Sequence, residues 1–208
     1  PLSDSGGVDT GLAYLIYGAA NYGNSVNAKT IAAFNTLGNT AAVETVVGTA
    51  GADSMTGSGI GSGDSASMGA GNDLIVTNAT TFQRIDGGTG IDTLRLSGSA
   101  TWDFTLTSGA GGNLSGKVRS IEQIDLGSGN QTLTINAQDV LNLSETTNSL
   151  RVTGTAGDTL NLSEVIGAAA NQWHNLGTAG GITTYRYFDA SNVATLAQVL
   201  VDSTITTS

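Results

Sequence analysis

The chain is 208 residues long, enough for one domain with a buried core, and its 17 acidic against 7 basic residues give a formal net charge of −10. That balance argues against nucleic acid and anionic membrane as partners, because the field of an acidic chain repels both. Thirty glycines, one proline and no cysteine rule out disulfides and thiolate metal sites and point to tight, repeated turns.

The first part of the chain reads as an N-terminal cap over residues 1–47. The stretch GLAYLIYGAANYG at residues 11–23 suggests an aromatic strand and turn, and NAKTIAAFNTLG at residues 27–38 a short helix. No charged-then-apolar leader precedes them and no apolar run approaches the roughly 20 residues that span a bilayer. The chain therefore reads as one domain of a larger protein, with no membrane insertion.

A repeat core is expected over residues 48–165. Short runs of β-type residues recur at Leu74–Val76, Leu94–Leu96, Phe104–Leu106, Ile124–Leu126, Leu133–Ile135, Leu141–Leu143, Leu150–Val152 and Leu160–Leu162. Apart from the wholly apolar Leu74–Val76, each alternates apolar, polar, apolar, and turn residues intervene between the runs, the signature of strands with one buried face. A spacing near nine or ten residues, eighteen to twenty per two-strand coil, suits an all-β fold of parallel β-solenoid or β-roll type, in which each coil buries its face against its neighbours. The alternative is a β-sandwich of short hairpins. Residues 166–208 carry the longer runs ITTYRYFD and ATLAQVLVDSTIT around a turn-like ASN at 190–192, and read as a C-terminal hairpin cap.

The chemistry sits in glycine-rich turns that end in an acid: GTAGAD to Asp53, GAGND to Asp73, GGTGID to Asp92 and GTAGD to Asp158, with GSGNQ at 127–131 a degenerate copy. Glycines let carbonyl oxygens turn inward at backbone angles closed to other residues, and the aspartate adds a charged oxygen, which together suit a hard cation such as Ca2+. Asp53, Asp73 and Asp92 lie one expected coil apart and would line one edge. The candidate metal residues are Asp53, Asp64, Gly69, Gly71, Asn72, Asp73, Asp86, Gly88, Gly90 and Asp92. The competing reading of each aspartate is an ordinary Asx turn.

The motifs GAGNDLIV and GGTGIDTLRL resemble the nonapeptide calcium repeats of RTX proteins, large secreted chains of Gram-negative bacteria. The segment from Ser120 to Glu164, then Trp173, GTAGGITTYRYF and ATLAQVLVD, is similar to a module of long RTX adhesins and extends the likeness over most of the chain. The resemblance implies a calcium-dependent peptide-binding domain, exported by type I secretion, monomeric within a cell-surface adhesin of biofilms. Its expected partner is the carboxylate end of a host-surface protein, or else a glycan. The glycine turns depart from the family pattern in being irregular, and residues 57–69 insert an apparent loop between two of them. Irregular loops on rigid scaffolds are where specificity sits, so Ser62, Asp64, Ser65 and Arg84 are the candidate ligand contacts. A calcium-stiffened spacer and a calcium-dependent lectin are the alternative functions.

No enzyme is expected. GGNLSGKV at 111–118 lacks the hydroxyl residue of a phosphate loop, having Val118 there, and the sole histidine, His174, has no acid or hydroxyl placed beside it as a partner.

Overall fold

In the computed structural model, residues 43–55, 59–98, 101–105, 114, 116–144, 146–163, 172–188 and 195–208 are described. The aromatic strand and helix expected within residues 11–38 lie outside them.

Alternation of apolar and polar residues produces a succession of short strands. Strand β1 (Thr45–Val47) leads into the turn of residues 48–53, and β2 (Ser65–Ser67) leads through residues 68–73 into β3 (Leu74–Thr77). Strand β4 (Arg84–Asp86) leads through residues 87–92 into β5 (Thr93–Leu96), which is followed by β6 (Thr101–Asp103). The order then runs β7 (Val118–Arg119), β8 (Gln123–Asp125), β9 (Thr132–Ile135), helix α1 (Ala137–Leu143), β10 (Ser149–Thr153) and β11 (Thr159–Leu162). Strands β12 (Trp173–Ala179), β13 (Ile182–Phe188), β14 (Thr195–Asp202) and β15 (Thr206–Thr207) end the chain.

These strands form three sheets, in the orders β1-β2-β4-β7, β12-β13-β14-β10-β8-β5-β3 and β15-β11-β9-β6. Only β12–β13 and β13–β14 pair antiparallel among the described strands; the other pairs are parallel, as in β3–β5–β8. Hairpin-linked strands would be antiparallel, so the sandwich of short hairpins is not what forms. The all-β class stands.

Register explains the core. In the large sheet Ile75, Leu94, Ile124, Val152 and Val201 are successive cross-strand partners, and all five are fully buried. Val46, Ala66, Ile85 and Val118 form the same kind of row in the first sheet, and Trp102, Leu133 and Leu160 in the third. Each fully buried aliphatic side chain contributes about 1.5–3 kcal/mol, and each row gains it against the strand before and the strand after. On the outer face of the third sheet, Thr101, Thr132, Thr159 and Thr206 stand in one row, a β-branched surface that favours extended backbone.

Three sequence expectations are corrected. The run Leu141–Leu143 is the end of α1, not a strand. Asn136 accepts from the Asp139 amide at 3.0 Å while the Asp139 carboxylate accepts from the Asn136 amide at 2.9 Å, a capping box, and Ala137, Val140 and Leu143 bury one helical face. The strand expected from Phe104 falls instead at Thr101–Asp103, where Trp102 is the inward residue. The apparent loop over residues 57–69 contains β2, an ordinary member of its sheet. Thr45–Val47, at the end of the expected cap, pair in parallel with Ser65–Ser67.

At the C-terminal end, β13 and β14 do pair antiparallel, and β14 also joins the stack by lying parallel to β10. The turn expected at 190–192 lies outside the described residues; a further hairpin links β12 and β13 through Gly180 and Gly181, at φ +58° and +79°, the left-handed pair that a two-residue hairpin loop demands.

Candidate metal centre

The turns of residues 48–53, 68–73 and 87–92 connect the first sheet to the second and stack on one another. Ala70 donates its amide to the Thr49 carbonyl at 3.0 Å, Gly71 to Thr89 at 2.9 Å, and Thr89 to Gly69 at 2.9 Å. Contact this close needs glycine. A Cβ on Gly90 would stand 1.8 Å from the Gly71 carbonyl oxygen and one on Gly88 1.9 Å from that of Gly69. Gly69, Gly71, Gly88 and Gly90 all have positive φ, between +98° and +139°, which L side chains resist.

The aspartates that end these turns form a ladder. Asp53 donates its amide to Asp73 Oδ1 at 2.7 Å, Asp73 to Asp92 Oδ1 at 2.8 Å, and Asp92 to Glu122 Oε2 at 2.9 Å. One oxygen of each carboxylate thus holds the preceding turn. Asn72 adds a side-chain link, accepting from the Ile91 amide at 2.9 Å. Asp53, Asp73 and Asp92, one expected coil apart in the sequence, stand side by side in this ladder. Glu122 was missed because its interval is 30 residues where the others are 20 and 19. The signal available was its place before QIDL, matching Asp92 before TLRL.

The second carboxylate oxygens divide the turns. Asp73 Oδ2 and Asp92 Oδ2 are buried without any hydrogen-bond partner, in residues 2% and 0% exposed. A buried unpaired carboxylate oxygen is costly. Burial accordingly raises the pKa of Asp73 above the ordinary carboxylate range, with the Asp53 amide opposing and the charges of Asp92 and Asp53 adding to it. Burial raises Asp92 likewise, against the Asp73 amide and with help from the Glu122 and Asp86 charges. Glu122 is also raised by burial, opposed by amide hydrogen bonds.

Two orphaned anionic oxygens beneath stacked, glycine-lined turns fit a cation. Among the described residues no three acidic or histidine side chains converge, so most of the six to eight oxygens that calcium takes would be backbone carbonyls, which have a second lone pair even when hydrogen-bonded.

The remaining candidates are placed elsewhere. Asp64 is buried, with Oδ1 accepting from the Glu44 amide at 2.9 Å and Oδ2 from Gly61 at 2.8 Å, at the turn that leads into β2. Asp86 stands on β4, where its Oδ2 accepts from Arg84 at 2.8 Å and from Arg119 at 2.6 Å. Asp158 belongs to a different corner, between the second and third sheets. There its Oδ1 accepts from the Gln131 amide at 2.9 Å, so the degenerate GSGNQ turn and GTAGD stack as a separate pair. Of the ligand candidates, Ser65 and Arg84 are cross-strand partners on the first sheet, and Ser62 bonds Thr81 at 2.9 Å nearby, while Asp64 is turned inward.

No protein-family model, curated protein or solved structure matches the chain.

Proposed function

We propose that the chain is a calcium-loaded parallel β-solenoid that serves as an extracellular ligand-binding module of a large RTX adhesin. The observation that carries the calcium reading is the pair of orphaned oxygens, Asp73 Oδ2 and Asp92 Oδ2, buried at the end of turns that contain positive-φ glycines. Those two carboxylates, with the carbonyls of residues 68–73 and 87–92, would hold the ions. Calcium there supplies the positive charge that the ladder lacks and ties one turn to the next.

The ligand is proposed to be the C-terminal end of a host-surface peptide. What supports this is the face of the first sheet, where the half-exposed guanidinium groups of Arg84 and Arg119 converge on one Asp86 oxygen beside Ser65. Paired guanidiniums are the side chains best suited to grip a carboxylate in an otherwise acidic chain.

The test has two arms. Thermal melts with calcium and with chelator should differ by several degrees, and identical melts would refute the metal reading. Immobilised peptides ending in a free carboxylate should bind in calcium while their amidated forms should not. Equal binding of both forms would end the carboxylate reading. Glycan binding without peptide binding would favour a lectin, and no ligand at all a stiffened spacer.

A further inference from the structure

We infer that an amide from within the turn decides which glycine–aspartate turns take a cation, and that the backbone angle of the residue three or four before the aspartate is the switch: a positive φ, which glycine can adopt and threonine resists, opens the turn to an ion, and an ordinary φ closes it. The inference rests on the calcium reading above and narrows it to Asp73 and Asp92, leaving Asp53, Asp64 and Asp158 without ions.

The five carboxylates differ in one respect. Asp53 Oδ2 accepts from the Thr49 amide at 2.6 Å and the Thr49 hydroxyl at 3.0 Å. Asp158 Oδ2 accepts from the Thr155 amide at 2.7 Å and its hydroxyl at 3.2 Å. Asp64 Oδ2 accepts from Gly61 at 2.8 Å. In each, a backbone N–H three or four residues earlier occupies the position in front of the oxygen, and its fixed partial positive charge would repel a cation placed there. Asp73 and Asp92 have no such donor. Burial does not explain the difference, because Asp158 and Asp92 are both 0% exposed and only Asp92 is orphaned.

The cause is local backbone geometry. Gly69 and Gly88, equivalent in the turn to Thr49, sit at φ +98° and +100°. Threonine, β-branched, strongly resists that region, and Thr49 and Thr155 do not adopt it: among the described residues the positive-φ residues other than glycine are Ser120 and Asn148. Threonine therefore holds the turn in the conformation that aims its amide at the carboxylate; Gly61, which is also outside the positive-φ region, donates in the same way, and only glycines at positive φ, Gly69 and Gly88, release it.

The experiment is calcium stoichiometry on the whole chain by equilibrium dialysis and titration calorimetry, with folding followed by circular dichroism. Asp73→Asn and Asp92→Asn should each lose one bound ion relative to the parent, while Asp53→Asn and Asp158→Asn should lose none. Loss of an ion in Asp53→Asn or Asp158→Asn would overturn the inference and leave the calcium reading standing. A parent chain that binds no calcium would overturn that reading and this inference with it. Should Asp158→Asn fail to fold, the half-buried Asp53 still decides the matter.

Discussion

Replacing Asp92 by asparagine should change the sign of its effect with calcium. Asparagine keeps an Oδ1 to accept the Asp73 amide, now 2.8 Å from the carboxylate, and exchanges the orphaned Oδ2 for a neutral group. In chelator the variant escapes the cost of a buried, unpaired negative charge but leaves an unpaired neutral group, for a net gain of about 1 kcal/mol. At this chain length that is roughly 2–4 °C in melting temperature. In calcium at about 100 times the dissociation constant, the variant forfeits one ion worth about 2.7 kcal/mol, or roughly 5–11 °C. Differential scanning fluorimetry in chelator and in calcium reads both. A variant that is destabilised equally in the two buffers would refute the reasoning, since the oxygen would then be serving something other than an ion.

Without calcium, stability should also fall as pH rises. Burial raises the folded-state pKa of Asp73, Asp92 and Glu122, so their protonated forms favour folding; that contribution is complete below the unfolded carboxylate value near pH 4 and is lost as pH climbs through the raised values. Calcium, which binds the deprotonated form, should flatten or reverse the trend, and chelator melts that rise from pH 4 to 7 would contradict it. Gly90→Ala should be far more damaging than Gly98→Ala. Both positions have positive φ, but a Cβ at Gly90 meets the Gly71 carbonyl at 1.8 Å whereas Gly98 faces open space. The Gly98 change should cost about 1–2 kcal/mol and the Gly90 change several-fold more in urea unfolding; equal costs would mean that the turns do not pack as described.

The sequence was most legible where the chemistry repeats at a constant interval. Asp53, Asp73 and Asp92 could be aligned because the first intervals are 20 and 19 residues. Alignment failed at Glu122 and Asp158 because the third sheet enters after β5, lengthening the intervals to 30 and 27 residues and moving Asp158 to another corner. Alternation found β3, β5, β8, β9, β10 and β11, but not β2, whose Ser-Ala-Ser sequence lacks the β-branched and aromatic residues that mark strands. Nor did it separate helix from strand at Leu141–Leu143, where three residues carry no period and the deciding signal was the Asn136 cap. Which carboxylate oxygens have donors is only partly legible: Thr49 and Thr155 against Gly69 and Gly88 is a contrast of residue types, but Gly61 donates as the threonines do, and the φ that separates it from Gly69 and Gly88 is not written in the residue type.

The in-register rows of the large sheet also restrict how such a chain can change length over generations. Leu94 reaches its place beside Ile75 and Ile124 only because an odd or even count of residues keeps it on the inner face; dropping one residue from the turn of 87–92 would turn it to solvent and bring Thr93 inward. Losing a whole interval would instead set a later strand against an earlier one with its inward side still inward. A deletion within this turn therefore keeps the inner row intact only when it removes a whole interval of the stack.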